Sequence, residues 1–221
     1  MSTTGHLPIL IRENRRFLAA CLLFWAAGIG VLLLEQDDTT LQIAFKPYHN
    51  NTLDTLWRIV TYLGSGGFFV CMWLAGALFS KRYAVCGLLS MALTAGLTMA
   101  IKYTVNAPRP WVVLPQDAPF VEGFAPATSP CFPSGHAATA FCLFSLLAFF
   151  SHRQRVKMLL FFIAFAVAYS RIYLMQHFLR DILAGSFIGT ASAFGVFAAM
   201  QRRSCRTTTG ENPAAADRYG R

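Results

Sequence analysis

Three short stretches carry residue types that could act together on a phosphate. The first is "KYTVNAPRP", in which Lys102 precedes Arg109 by seven residues. Arg109 lies between Pro108 and Pro110. Proline fixes its own φ and pushes the preceding residue into extended conformations, so Arg109 is presented on a stiff segment. Alone, this reads equally as a snorkelling lysine and a proline-rich turn. The second is "PSGH", Pro133 to His136, directly ahead of an apolar run. Ser134 can cap a helix there, leaving the N–H groups of Ser134, Gly135 and His136 pointing outward as an anion site. Gly135 lets an anion come close to the backbone, and His136 would sit beside it. A capped helix start is the plain reading of such a tetrapeptide. The third is "SRIYLMQHFLRD", with Ser170 and Arg171 followed by His177 and Asp181. If helical, His177 and Asp181 share a face at i, i+4, and the carboxylate accepts one imidazole N–H. The other ring nitrogen keeps its lone pair, as a base or nucleophile requires. A purely structural His–Asp pair is the alternative. Taken together, the three stretches suit phosphoryl transfer: three cations on the equatorial oxygens, one histidine to attack and one to protonate the leaving oxygen.

Something must bring 102, 136 and 177 to one place. The 221 residues are 55% hydrophobic and only 13% charged, about half the charge of an ordinary soluble domain. The apolar residues fall in long blocks: Phe17 to Leu34, then about Ile59 to Phe79, Tyr83 to Ile101, Ala137 to Phe150, Met158 to Tyr169 and Ile182 to Met200. Roughly 20 residues span a bilayer core, so the blocks predict six transmembrane helices, the fourth lengthened to run from Ser134 to about Ser151. The first block follows Arg12, Arg15 and Arg16 but is longer than a signal core. The "LEQDD" after it is no small-residue cleavage site, so it reads as an uncleaved anchor.

The formal net charge of +9 is a topology signal rather than a nucleic-acid footprint. Basic clusters at Arg12/Arg15/Arg16, Lys81/Arg82, Arg153/Arg155/Lys157 and Arg202/Arg203/Arg206 follow an even number of spans each. By the positive-inside rule, both termini lie in the cytoplasm and all three candidate stretches face outward. Ionisable residues at span ends on that face run against the orientation signal, which points to function. Of the six cysteines, only Cys131 reaches the outer side, without an obvious partner. No disulfide framework or zinc spacing appears, and most cysteines read as small apolar packing residues. Leu53, Leu56, Trp57 and Val60 have helical spacing, predicting an interfacial amphipathic segment with Trp57 and Tyr62 near the headgroups. "GSGG" at 64–67 lacks the strand, lysine and spacing of a phosphate loop and reads as small-residue helix packing. Residues 1–206 are expected to form one six-span domain, and 207–221 a disordered cytoplasmic tail. Arg180 could reach a substrate headgroup or be simply solvated.

The three stretches resemble the motif of the type 2 phosphatidic acid phosphatase superfamily. That motif is a lysine, six residues and Arg-Pro; Pro-Ser-Gly-His; and Ser-Arg, five residues, His, three residues, Asp. Lys102 with Arg109-Pro110, Pro133 to His136, and Ser170-Arg171 with His177 and Asp181 match at every position. The resemblance implies an all-α integral membrane fold built on the helical core that these phosphatases share with the vanadium haloperoxidases. Those haloperoxidases are soluble, and six apolar spans set this chain apart from them. It implies His177 as the nucleophile that forms a phosphohistidine, Asp181 as its orienting carboxylate and His136 as the general acid. Lys102, Arg109, Ser134, Gly135 and Arg171 are implied as the phosphate cradle. Members of the family need no metal or other cofactor, and vanadate mimics their transition state.

The expectation is therefore a lipid phosphatase at the periplasmic face of a bacterial inner membrane. Candidate substrates are undecaprenyl diphosphate, phosphatidylglycerol phosphate, phosphatidic acid and the phosphates of lipid A. The short outer connections suit an amphipathic lipid entering sideways from the bilayer. The alternatives are a lipid-to-lipid phosphotransferase on the same site and, more remotely, a transporter or scaffold of the same fold.

Overall fold

A computed structural model describes residues 6–34, 39–116 and 128–210. Among them are helices and turns and no strand: α1 (His6–Leu34), α2 (Thr40–Phe45), α3 (Asn51–Tyr62), α4 (Gly66–Ala77), α5 (Lys81–Val105), α6 (Pro110–Val113), α7 (Gly135–Phe150), α8 (Gln154–Tyr173) and α9 (Leu179–Gly210). Residues 1–5, 35–38 and 117–127, and 211–221 of the predicted tail, lie outside the described residues.

Four stretches are long and apolar enough to cross a membrane: Leu7–Leu34, Lys81–Val113, Gln154–Tyr173 and Leu179–Arg202. The chain is an integral membrane protein. Helices α3 and α4 qualify together but meet at 50°, so the block predicted as one helix from Ile59 to Phe79 is broken. The break has a local cause. Ser65 takes an extended conformation and its side chain accepts from the Phe68 N–H, starting a new helix. Gly64, just before it, lies so close to the next layer that an added Cβ would sit 2.8 Å from the carbonyl oxygen of His136. Of the "GSGG" read as small-residue packing, only Gly64 packs closely, on the start of α7 and Val167; Gly66 has open space around it.

Helix α7 has 16 residues, short for a span. Every residue from Ala137 to Leu146 is buried, as expected of a helix apolar on all sides and wrapped by others. Its closest neighbour is α9. Gly185 and Gly189, four apart on α9, face Ser134 O and Ala138 O, and a Cβ at Gly189 would also meet Cys142 N at 2.8 Å. Small residues at this spacing let two membrane helices touch backbone to backbone. Cys21, Cys86 and Cys142 are free thiols inside the core.

The amphipathic α3 carries Asn50 as its N-cap, the side chain accepting from Leu53 N at 3.0 Å. Its Leu53 and Trp57 pack against Tyr169, Tyr173 and Leu174 at the end of α8. Asp54 Oδ1 accepts from Tyr173 Oη at 2.8 Å and lies 2.8 Å from His49 Nδ1. Part of the apolar face predicted for a membrane interface is thus spent on α8, while Tyr62 remains exposed.

Candidate active site

The end of α5, the start of α7, the end of α8 and the start of α9 meet at one end of the bundle. Lys102 occupies the last turn of α5, which Asn106 terminates in a left-handed conformation, φ 45°. Arg109 then sits extended, φ −89° and ψ 157°, immediately before Pro110 opens α6. That is the conformation its flanking prolines predict. Both cations are buried, and one loop clasps them. Lys102 Nζ donates to Pro130 O at 2.5 Å. Arg109 donates through Nε to Ser129 O at 2.7 Å and through Nη2 to Ser129 Oγ at 3.0 Å. Its Nη1 donates to Gln176 O at 2.8 Å and lies 3.4 Å from His177 Nε2. Arg171, buried at the end of α8, donates from Nη1 to Thr61 Oγ1 at 2.7 Å.

Ser134 is the N-cap of α7 and its hydroxyl accepts from Ala137 N. Its own N–H does not point outward as predicted: it donates to Asp181 O at 3.0 Å. The bond ties the second motif to the third. At Gly135 a Cβ would meet no protein atom within 4 Å. Packing does not demand glycine there; the space in front of the helix start is left open, which suits a ligand held against the backbone. His136 follows in the first turn of α7.

His177 and Asp181 are together, but not as two residues of one helix. A turn with Met175 at φ 55° reverses the chain after α8, and His177 precedes the first residue of α9. Backbone N–H groups of Gln176 and His177 both donate to Arg171 O, at 3.0 and 3.2 Å, and Gln42 Nε2 donates to His177 O at 3.2 Å. Asp181 acts first as a helix cap: Oδ2 accepts from Phe178 N at 2.9 Å. His177 Nδ1 stands 3.5 Å from the same oxygen, at the outer edge of hydrogen-bonding distance.

Between them stands a residue absent from the motif. The Cys131 thiol donates to Asp181 Oδ2 at 2.7 Å and lies 3.4 Å from His177 Nδ1. Its backbone N–H is anchored to Ala107 O at 2.8 Å. The signal in the sequence was its position, two residues ahead of Pro133. Arg180 is exposed, with its guanidinium 5.2 Å from the Phe178 ring centroid and its Nε 3.8 Å from Asp181 Oδ1.

Burial first, then the charges of Arg171, Arg109 and Lys102, hold His177 well below the usual imidazole range. The ring is therefore neutral. With a carboxylate on the Nδ1 side, the proton belongs on Nδ1 and the lone pair on Nε2, facing Arg109. Burial and the neighbouring Asp181 carboxylate push the Cys131 thiol up, so it stays a donor. Cys131 Sγ, His177 Nδ1 and an Asp181 oxygen lie within 4.8 Å of one another, close enough to ligate a cation in principle. A protonated thiol and three neighbouring cations make the set a poor metal cage.

The PAP2 superfamily model matches residues 83–205, more than half of the chain. This chain belongs to that family. Phosphatidylglycerophosphatase B of Bacillus subtilis is 28% identical over 180 residues, which cover 76% of this chain and 85% of the relative. The crystal structure of Aquifex aeolicus LpxE superimposes with a TM-score of 0.61 at 27% identity, covering 71% of this chain and 92% of that one. A transmembrane PAP2-type phosphatidylglycerolphosphate phosphatase from Bacillus subtilis gives a TM-score of 0.63 over 86% of this chain and 96% of its own; at 24% identity it speaks to the fold alone. The all-helical membrane architecture is thus shared with PAP2 phosphatases, and the chain is a phosphoric-ester hydrolase.

Proposed function

We propose that the protein hydrolyses a lipid phosphate through a phosphohistidine on His177. The observation that supports this most is the orientation of His177 Nε2: a neutral, buried ring nitrogen 3.4 Å from Arg109 Nη1, beside Lys102, Arg171 and the start of α7. A phosphoryl group held by those cations presents its phosphorus to Nε2. The Nε2 lone pair forms the N–P bond as the P–O bond to the lipid breaks, and His136 gives its proton to the leaving oxygen. Asp181 and Nδ1–H stabilise the charge that develops on the ring. Water then attacks phosphorus, His136 takes its proton, the N–P bond breaks, and phosphate leaves. Lys102, Arg109 and Arg171 compensate the oxygens through both steps, and the α7 start adds dipole and N–H groups.

The substrate class is a lipid bearing a phosphate monoester or diphosphate, in line with the relative named as a phosphatidylglycerophosphatase. Undecaprenyl diphosphate, phosphatidylglycerol phosphate, phosphatidic acid and lipid A phosphates all present that group. The site lies at helix ends, where lipid headgroups sit, which suits a lipid entering from the bilayer. The basic clusters at the opposite helix ends support a site on the periplasmic face of a bacterial inner membrane, with both termini in the cytoplasm. The test is phosphate release by the detergent-solubilised protein from a panel of these lipids without an added acceptor. Turnover only on addition of a second lipid would replace the hydrolase with a phosphotransferase.

A further inference from the structure

The opposite end of the bundle holds a second polar cavity, of about 330 Å³. Five helices frame it: Glu13 of α1, Arg82 of α5, Phe149 and Phe150 of α7, Lys157 of α8, Phe197 and Gln201 of α9. Arg82 lies with its Cζ 5.5 Å from the Phe197 ring centroid. Its Nε and Nη2 are buried, with no hydrogen-bond partner. Buried guanidinium donors left unsatisfied are costly, and cation–π contact does not engage the in-plane N–H groups. Lys157 is buried as well, giving Nζ to Glu13 O at 3.0 Å and Asn14 Oδ1 at 2.5 Å. Two of its three donors are thereby taken, and neither acceptor is a carboxylate. The Glu13 carboxylate shares the lining but is exposed. Helix α8 starts at this end without a side-chain cap.

We infer that this cavity binds the phosphodiester headgroup of an anionic glycerophospholipid in the leaflet opposite the active site. The chemistry selects a phosphate: a planar fork of free N–H donors, a second buried cation and no buried carboxylate. The surroundings favour a lipid: Phe149, Phe150 and Phe197 wall the cavity, and the exposed Leu78 and Phe79, just ahead of Arg82, offer apolar surface to acyl chains. Basic pockets between transmembrane helices are general headgroup sites. Occupancy joins α5, whose far end carries Lys102, to α8 and α9, so it stabilises the frame of the active site without touching it.

The experiment is thermal unfolding of the full chain in neutral detergent with phosphatidylglycerol, phosphatidylcholine or inorganic phosphate, alongside native mass spectrometry of retained lipid. Phosphatidylglycerol is expected to raise Tm by about 5 °C at saturation, with one lipid retained; the other two leave Tm unchanged. Arg82→Gln, shown folded by its retained phosphatase activity, loses the shift and the bound lipid. Should that variant not fold, Gln201→Glu, which places a carboxylate in the cavity, is expected to lose both in the same way. A full shift in the variant, or none in the parent, overturns the site. An equal shift with phosphatidylcholine overturns the anion, and an equal shift with inorganic phosphate overturns the lipid.

Discussion

The backbone N–H of Ser134 donates to the backbone carbonyl of Asp181 at 3.0 Å. The helix start proposed to hold an anion and the segment that carries the proposed nucleophile, His177, are thus tied together through the main chain. Gly185 and Gly189 make this possible by letting α9 lie on the backbone of α7. A valine at Gly189 must displace Ala138 O and Cys142 N, both main-chain atoms that cannot swing away. Gly189→Val is expected to cost about 1–3 kcal/mol of stability and to lower activity more than Gly195→Val, where a Cβ has open space. Unfolding midpoints and initial rates of the two variants check this.

Cys131 positions Asp181 for its partner. Cys131→Ser keeps a donor to Asp181 Oδ2 and is expected to keep most of kcat. Cys131→Val, which removes the donor at similar size, is expected to lower kcat roughly tenfold, about 1.4 kcal/mol, with KM little changed. Equal losses in both variants would mean that the thiol only fills space.

The pH dependence follows from the direction of the His177 shift. Its folded pKa lies below the ordinary 6.5, so below that pH the unfolded chain binds a proton that the folded chain refuses. The contribution to stability is present above about 6.5 and is lost as pH falls beneath it. The decline in Tm from pH 7 to pH 5 should therefore be shallower in His177→Asn than in the parent. Identical slopes would show that His177 titrates alike in both states.

His136 as general acid predicts a dependence on the leaving group. His136→Ala is expected to lose roughly 10²–10⁴-fold on an alkyl phosphate and far less on an aryl phosphate, whose leaving oxygen needs no proton. Equal losses on both would assign His136 to binding alone.

For the topology, single-cysteine reporters at two exposed positions suffice. Tyr48→Cys should react with an impermeant thiol reagent from outside intact cells, and Arg155→Cys only after lysis. The reverse would move the site to the cytoplasmic face.

Much of this was legible in the sequence because membrane insertion writes plainly. Long apolar blocks mark the spans, and the two prolines around Arg109 dictate its extended backbone. What escaped was what depends on contacts between distant segments. The break at Ser65 joins a local N-cap to the close approach of Gly64 to α7, and only the second is hidden from the sequence. His177 and Asp181 looked like a helical pair at i, i+4, yet the turn at Met175 puts His177 ahead of the helix. The same turn brings Cys131, 46 residues earlier, between them. The sequence sets Cys131 apart as a cysteine without an obvious partner, and only the fold supplies one.

The most direct test is to trap the intermediate. Purified protein mixed with a ³²P-labelled lipid phosphate and quenched in alkali within milliseconds should carry label on a peptide containing His177, as phosphohistidine. His177→Ala should carry none and turn over at least roughly a thousand-fold more slowly. Unlabelled protein during full turnover, or a His177→Ala variant as fast as the parent, would contradict His177 as the nucleophile.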